Sequence, residues 1–440
     1  MKKYLPIALL MTVLAGVPAG AQNGFNVPFS QFGIGENQYP FDMPYAFSMG
    51  GTVYSRSSRN CINPFNPASY AAVELESFVF DMGFNIQTSV LRKDASSLAD
   101  AAGNVGYLAI AFPLTRWWKV SAGIMPYSKV NYESVSTAND LVSGSDVTTR
   151  YDGNGGVSQL YFGSGFNITK QLSVGFNIDY LYGFIQRSIT YDFQGNDTTY
   201  MMNSRRQKNT TVSNLLFDLG VQYRQPLGEK YTLNMGLTCR VPRKMTVRDT
   251  SLKYTYVGVS TGEYFIDTVF PAQGSDASYL SDLEQPLTVG VGLALERNER
   301  WQVAADVTYA PWSGLKYTEN QQYNILGRSA LGYAANYRMS LGAEWMGNPN
   351  ASSYWGRIGV RAGVYYNIGK LTLEMPSATR LDEKGCGLGV ALPMRKGRSV
   401  LNLSLGYSSY GNLDLLRRDC LTIAISVGSC ERWFMKRKYN

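Results

Sequence analysis

The run from Leu172 to Phe184 constrains the fold more than any other stretch of the sequence. Every second side chain in it is large and apolar, and most of the others are small or polar. Because successive side chains of a β-strand point to opposite faces, this alternation predicts a strand. A strand with one apolar face suits a wall between lipid and a watery lumen, so we expect Asn177 and Asp179 to face the lumen. One such run could also belong to a soluble sandwich, so the interpretation depends on recurrence.

The alternation recurs along most of the chain, for example from Phe78 to Gln87, from Leu215 to Arg224 and from Tyr231 to Val241. It predicts fourteen strands whose connections alternate between short turns and longer loops. An even strand number with this alternation is typical of an outer-membrane barrel and puts both chain ends on the periplasmic side. The predicted strands are 77–93, 103–114, 117–135, 150–169, 171–194, 205–227, 231–249, 284–298, 301–320, 332–348, 355–373, 384–396, 399–409 and 417–433.

A secreted soluble β-sandwich is the alternative fold. Soluble strands average about five or six residues, whereas many of the predicted strands are longer than ten. A closed barrel is also the β-architecture that leaves no unpaired strand edge in lipid. The sequence therefore predicts an all-β transmembrane antiparallel barrel in the outer membrane of a Gram-negative cell. We expect the barrel at 77–434 and a basic periplasmic tail at 435–440.

Residues 1–21 have the features of a secretory signal peptide. Two lysines precede an apolar run, and Ala19-Gly20-Ala21 offers a small-residue cleavage site. The apolar run is shorter than the roughly 20 residues that a membrane-spanning helix needs. No transmembrane helix is predicted elsewhere, and the mature chain is expected to begin near Gln22.

The composition excludes several classes of function. The chain has no His, which removes Ser-His and Cys-His catalysis, although a Ser-Lys or paired-carboxylate enzyme stays formally open. Five scattered Cys form neither a disulfide framework nor, without His, a zinc site. The formal charge of +8 is not gathered into a basic domain, so no nucleic-acid partner is expected. We predict a protein that is not an enzyme and has no cofactor or metal.

Residues 22–76 precede the first predicted strand and show little periodicity. They are rich in Gly, Pro and Asn but also carry Phe29, Phe32, Phe41, Phe47 and Phe65. A flexible periplasmic tail is the alternative, yet a tail would be polar, whereas aromatic side chains favour burial. Because the lumen of a wide barrel offers that burial, we predict an N-terminal plug inside the barrel.

Short motifs here resemble the FadL/TodX-type outer-membrane transporters of hydrophobic compounds. They are Met49–Thr52 and Asn66–Ala68 in the plug, Gln285–Leu295 and Asp306–Ser313 in the later barrel, and Glu431–Lys438, which is similar to the tail of an uncharacterised FadL-like branch. The resemblance covers most of the mature chain, although each motif is short. The plug residues assigned to the motif are Gly50, Gly51, Asn63, Pro64, Asn66, Pro67 and Ala68.

The resemblance implies a fourteen-stranded barrel with an N-terminal hatch, and a lateral opening through which hydrophobic ligands leave. In that family the opening is attributed to a kink in the third strand. The third predicted strand contains Pro126, which cannot donate a hydrogen bond to a sheet ladder. Pro126 is therefore the predicted kink, and the alternative is that it lies outside the paired zone or at a harmless bulge.

Polar side chains are expected on the inner face of the predicted strands. Because acidic and basic residues both occur there, we interpret them as satisfied ion pairs rather than as catalytic pairs. The predicted inward residues are Asp81, Asn85, Asn177, Asp179, Asp218, Arg224, Arg240, Asp306, Glu344, Arg357 and Arg361.

Passive uptake of small hydrophobic molecules, of the fatty-acid or aromatic-hydrocarbon class, is the predicted function. A scaffold resembling the shuttle proteins of type IX secretion is the alternative, because the loops at 136–149 and 250–283 could hold secreted protein cargo. An open porin is disfavoured by the plug. The expected partners are outer-membrane lipid, a small hydrophobic ligand and the barrel-assembly machinery, with secreted cargo under the alternative.

Overall fold

A computed structural model describes most of the barrel and much of the segment before it. The described residues are 26–31, 33–37, 43–59, 61–93, 96–139, 146–194, 202–259, 262–269, 278–297, 300–314, 331–374, 378–394, 399–412 and 416–432. The predicted signal peptide at 1–21 and the predicted tail at 435–440 lie outside them. In the described part of the chain, no helix is long and apolar enough to cross a bilayer.

Fourteen antiparallel strands form a closed barrel, and two of them are interrupted. In chain order they are β1 (Ser77–Lys93), β2 (Ser96–Pro113), β3 (Trp118–Asn139), β4 (Asp146–Asn167), β5 (Leu172–Gln194), β6 (Asn203–Leu227), β7 (Tyr231–Arg240 and Arg243–Val259), β8 (Ser278–Gln285 and Thr288–Arg297), β9 (Trp301–Ala310), β10 (Asn336–Trp345), β11 (Gly359–Ile368), β12 (Glu383–Pro393), β13 (Ser399–Asn412) and β14 (Leu416–Arg432).

The last strand pairs with the first and closes the ring. The β1–β14 ladder runs from Ser77 opposite Arg432 to Arg92 opposite Arg417. One neighbouring pair is much shorter: β2 and β3 pair only between Leu108–Pro113 and Lys119–Ile124. The barrel is therefore closed all round, with one incomplete seam.

The predicted fourteen-strand architecture is confirmed, although several strand bounds differ. The first strand has its predicted bounds, 77–93, whereas the second begins at Ser96 instead of 103. The seventh and eighth strands are each broken by a proline, because an imide nitrogen cannot donate to the ladder: Pro242 and Pro286 stand in the breaks.

Side chains of β5 show how the wall divides. Phe176, Ile178 and Phe184 are exposed on the outside, whereas Asn177 and Asp179 are fully buried inside. Exposed Leu, Val, Ile and aromatic side chains continue round the other strands. The outer face is thus an apolar band of the kind that contacts lipid.

The two rims of the barrel differ, and we name them by their connections. The turn end holds the connections 114–117, 168–171, 228–230, 298–300, 346–358 and 394–398. The loop end holds 94–95, 140–145, 195–202, 260–277, 311–335, 369–382 and 413–415. The predicted alternation of lengths is therefore partial: the connections at 94–95 and 413–415 are short, and 346–358 is long and contains a 3-10 turn, Trp355–Arg357.

The segment before β1 lies in the lumen. Its described elements are a 3-10 turn (Pro28–Gln31), a short strand (Glu36–Asn37), one helical turn (Pro44–Phe47) and a second 3-10 turn (Pro67–Ala72). Residues 43–59 and 61–73 form the plug, and the side chains of Tyr45, Tyr54, Phe65 and Tyr70 pack with the inner wall in one buried cluster. At the loop end, the strands Leu331–Tyr333, Leu371–Glu374 and Ala378–Arg380 form a small separate sheet.

Candidate functional site

The plug can turn sharply where the sequence supplies glycine. Gly50 (φ +65°) and Gly51 (φ +83°) occupy the left-handed region that favours glycine. Asn66 caps the second 3-10 turn, because its side-chain oxygen accepts a hydrogen bond from the Ala68 amide at 3.1 Å. Asn63 holds the chain across the turn by donating to the carbonyls of Val53 (2.6 Å) and Arg56 (2.9 Å).

Inward-facing glycines let the plug backbone touch the wall. A Cβ atom at Gly236 would overlap the carbonyl of Tyr54, and one at Gly363 would overlap the backbone of Met49. These glycines belong to β7 and β11, on different sides of the ring. The same close approach occurs at Gly175, Gly342 and Gly387.

An ion-pair network joins the plug to β10, β11 and β13. Arg56 Nη2 lies 2.5 Å from Glu344 Oε2, and Arg361 Nε lies 2.6 Å from Glu344 Oε1. Arg361 Nη1 also donates to Asn402 Oδ1 at 2.8 Å. All three charged side chains are buried. One carboxylate thus neutralises a guanidinium of the plug and a guanidinium of the wall.

Wall side chains also replace water at the plug backbone. Asp306 accepts hydrogen bonds from the amides of Val53 (2.6 Å) and Tyr54 (2.9 Å). Gln222 donates to the Tyr54 carbonyl at 2.9 Å. Asn177 donates to the Pro64 carbonyl at 2.9 Å. The wall thus satisfies backbone polar groups of the plug in addition to the hydrogen bonds that the plug makes within itself.

Three further carboxylates lie on the inner wall. Asp81 accepts hydrogen bonds from the Tyr107 hydroxyl at 2.7 Å and from the Ile62 amide at 3.3 Å. Arg240 contacts both oxygens of Asp218 at 2.7 Å and lies 3.8 Å from Asp179 Oδ2. Asp218 is thus ion-paired with Arg240, and Asp81 is hydrogen-bonded to both the wall and the plug.

Asn85 is buried in β1. Arg224 has the same strand alternation as the buried Gln222 and lies at the turn-end rim, where its Nη2 is 3.9 Å from Glu296 Oε1. Arg357 lies in the 3-10 turn before β11 and not on the inner wall, because β11 begins at Gly359 instead of 355. Because the strand was predicted to begin a few residues too early, Arg357 was wrongly counted as part of the wall.

The third strand bulges at the predicted kink. Its register with β4 shifts between Pro126 and Ser128, so Tyr127 is the extra residue. Tyr127 and Ser128 are both buried, so two successive side chains face the lumen. Just before the bulge, the β2–β3 ladder stops at Ile124. The bulge therefore coincides with the incomplete seam of the barrel.

Residues 26–31 and 33–37, which we call the strap, cover the edge of β3 beyond the seam. Glu36 and Asn37 pair with Lys129 and Ser128, and the Val27 amide donates to the Asn131 carbonyl at 2.6 Å. On the other side, the Asn26 amide donates to Asp100 Oδ2 of β2 at 3.1 Å. Arg418 of β14 fixes the strap through both oxygens of Glu36, at 2.7 and 3.0 Å.

A cavity of about 250 Å³ lies between the strap and the plug. Ile34 and Glu36 of the strap line one side, and Phe47, Tyr54 and Phe65 of the plug line another. The wall and the loop-end connections contribute aromatic and apolar groups together with several charged ones. They include Tyr127, Leu283, Trp312, Tyr365, Arg240 and Lys370.

Lys370 stands at the loop end of this cavity. Its Nζ is 4.3 Å from the centre of the Trp312 ring, a cation–π distance. Loss of hydration lowers the pKa of Lys370 to about 8, although the carboxylate of Glu36 opposes the shift. No sequence pattern indicated the contact of Lys370 with Trp312, the ion pair of Arg56 or the pairing of the strap with β3. Each of them depends on contacts between segments that are distant along the chain.

The model of one family, BamG, matches residues 1–440. The chain belongs to the BamG family. The predicted FadL/TodX-type relationship is borne out as a shared fold, whereas the family that matches carries a different name. No curated protein sequence matches the chain.

Solved outer-membrane channels share the fold of this BamG-family protein. The CymD monoaromatic hydrocarbon channel is 14% identical, with 88% of this chain and 97% of that chain covered and a TM-score of 0.54. The toluene transporter TbuX of Ralstonia pickettii is 13% identical (89% and 98% covered, TM-score 0.54). A FadL homologue of Pseudomonas aeruginosa is 12% identical (88% and 98% covered, TM-score 0.56). The protein is thus an outer-membrane barrel of FadL-like fold.

Proposed function

We propose that the protein is a passive channel for small hydrophobic molecules with a lateral exit between β2 and β3. The supporting observation is that the strap separates the cavity from the seam. Ile34 and Glu36 line the cavity, while Glu36 and Asn37 pair with the edge of β3 that β2 leaves uncovered. Displacing the strap would join the cavity to the incomplete seam, and hence to lipid.

A lateral route solves a physical problem for an apolar solute. Transfer of apolar surface into water is unfavourable, so a solute that passes from an aromatic pocket into the bilayer avoids the watery side of the membrane. In this proposal the loop end faces the outside, and the turn end and C-terminus face the periplasm. CymD and TbuX, which are described as a hydrocarbon channel and a toluene transporter, support the solute class.

A reversible crosslink between strap and wall tests the route. Asn37 and Ser128 are direct cross-strand partners, so cysteines at both positions are close enough for a disulfide. In a background without the accessible Cys239 and Cys386, the oxidised Asn37→Cys, Ser128→Cys variant should stop toluene and labelled-fatty-acid uptake into proteoliposomes. Reduction should restore it.

The matched control is a crosslink within the wall. Asn131 and Asn154 are cross-strand partners on β3 and β4, so the Asn131→Cys, Asn154→Cys pair should leave uptake unchanged. Uptake that continues in the oxidised strap variant would remove the strap from the route. Absence of apolar uptake by the unmodified protein would reject the channel itself.

The proline of the bulge provides a narrower test. Pro126→Ala restores a backbone donor on β3 and should favour pairing across the seam, so uptake should slow while the barrel still assembles. The shift in gel migration on heating measures barrel assembly. Equal uptake by the Pro126→Ala variant and the unmodified protein would exclude Pro126 from the mechanism.

A second candidate function is that of an accessory barrel in a larger outer-membrane complex. The family name supports it, because Bam abbreviates barrel-assembly machinery. The turn end also presents Trp355, which is 80% exposed on the long connection 346–358. Capture of the tagged protein from solubilised membranes should then recover assembly-machinery subunits, and Trp355→Ala should weaken the recovery. Capture of secreted cargo instead would support the shuttle alternative.

A further inference from the structure

Three prolines interrupt the wall at one level, on neighbouring strands. Pro242 breaks β7, Pro286 breaks β8, and Pro311 follows the end of β9. On the turn side of these prolines each strand has ten residues, Tyr231–Arg240, Thr288–Arg297 and Trp301–Ala310. Since a tilted strand of about 9–11 residues spans the hydrocarbon layer, the prolines lie at its loop-end boundary.

The outer surface changes character at the same level. On the turn side, Leu237, Val291 and Val307 are exposed apolar side chains, as expected for lipid contact. Tyr309 and Tyr337, with ring centres 5.0 Å apart, lie where an interfacial aromatic girdle is expected. On the loop side, Arg243 and Lys244 are exposed instead. The prolines therefore mark the transition from hydrocarbon to the headgroup region.

A notch of about 270 Å³ opens at this transition. Arg243 lies in it with its guanidinium carbon 5.5 Å from the centre of the Phe217 ring, which supports the charged group at the surface. Gln285 lies opposite Arg243 in the ladder, and Glu284 lies opposite Lys244. The notch is lined by Pro242, Arg243, Lys244, Glu284, Gln285, Pro286 and Pro311.

We propose that this notch binds the phosphate group of an anionic membrane lipid, with Arg243 as the main contact. A guanidinium presents paired donors that match phosphate oxygens. Lys244 adds positive charge, and Leu287, which follows Pro286 and is exposed, offers apolar surface for an acyl chain. A soluble anion would have no use for that apolar surface, so the geometry favours a lipid. This site is separate from the cavity and does not depend on the proposed channel.

Native mass spectrometry of the whole barrel tests the site, with bisphosphorylated lipid A as the probe and phosphatidylcholine, a zwitterionic lipid with no net charge, as the comparison. Because each basic residue near an anionic surface contributes about fivefold to binding, Arg243→Gln should lower lipid A retention by about that factor. Glu284→Gln should raise it, because a carboxylate opposes an anion. Phosphatidylcholine retention should not change.

Arg248→Gln is the matched control, because Arg248 is an exposed arginine five residues further along β7. If lipid A retention falls equally in both arginine variants, the effect comes from general surface charge, and the proposed site is rejected. Displacement of lipid A by millimolar inorganic phosphate would identify a free-anion site and overturn the lipid assignment. Unchanged retention in Arg243→Gln with normal heat-modified migration would also reject the proposal.

Discussion

The two halves of the lumen are built differently. The difference indicates how one barrel can hold a tightly bound plug and still let a small molecule pass. Toward the turn end, the plug is bound through Glu344, Asp306 and Asn177 and approaches the wall at glycines such as Gly363. Toward the loop end, the strap lies on an open strand edge beside a cavity of about 250 Å³. Movement is therefore expected in the strap before it occurs in the plug.

Removing the shared carboxylate should have the largest effect on this contrast. Glu344→Ala leaves Arg56 and Arg361 buried without their counter-charge, which should cost about 3–5 kcal/mol. Urea titration in detergent, followed by tryptophan fluorescence, measures the loss. Glu133→Ala is the control, because the exposed Arg150–Glu133 pair at 3.5 Å should contribute under about 1 kcal/mol. Equal losses would show that the plug is not held by its buried charges.

Adding bulk at the plug–wall contact should have the next largest effect. Gly363→Val pushes side-chain atoms against the Met49 backbone, and overpacking of this kind costs about 1–3 kcal/mol. A displaced plug would raise single-channel conductance in planar bilayers. Gly103→Val, where the nearest atoms to a Cβ are 4.0 Å away, should leave conductance unchanged. Unchanged conductance in the Gly363→Val barrel would mean that the plug tolerates movement at that contact.

Loosening the strap should have a smaller effect. Glu36→Gln keeps a hydrogen-bonding side chain but removes its charge beside the buried Arg418, and replacing a charged hydrogen bond by a neutral one should cost about 1 kcal/mol. That corresponds to about a fivefold faster reaction of a cysteine at Asn37→Cys with a soluble maleimide. The plug should stay in place, so the conductance should not rise. An unchanged labelling rate would place the restraint of the strap elsewhere, for example in the Val27–Asn131 contact.

The smallest effect concerns the plug thiol. Burial raises the pKa of Cys61 to about 12, so the thiol is neutral at pH 7 and should not react with iodoacetamide in the folded barrel. A raised pKa means that the unfolded thiol ionises first, so its contribution to stability is complete below about pH 8 and declines as the pH rises toward 12. Early labelling of Cys61 would reveal a plug that leaves the lumen at neutral pH.

Alternating side chains were enough to predict most of the barrel. In β1 the alternation and its ends coincide with the observed strand, because one face meets lipid and the other the lumen along its length. Prediction failed where prolines intervene: β7 and β8 are broken at Pro242 and Pro286. The start of β11 was misplaced for a different reason, since Trp355–Arg357 is a 3-10 turn that no alternation marks.

The candidate site was only partly predictable. Phe47 and Phe65 suggested a plug by composition, and Pro126 suggested a bulge because it lacks an amide proton. Neither suggestion contains the partners of Arg56 or Glu36, which are 288 and 382 residues away along the chain. Local sequence patterns cannot predict contacts between residues that are so far apart along the chain.

The sequence by itself determined the closed wall, its apolar outer face and the glycines that leave room inside, because these follow from a period of two and from side-chain size. The tertiary structure decided which wall groups hold the plug, that β2 and β3 separate beyond Ile124, and that the strap covers the resulting edge. The physical reason is that ladder pairing and side-chain size act locally, whereas the lumen brings together groups from strands all round the ring. The run at Leu172–Phe184 builds the wall, and only the folded lumen shows where that wall is incomplete.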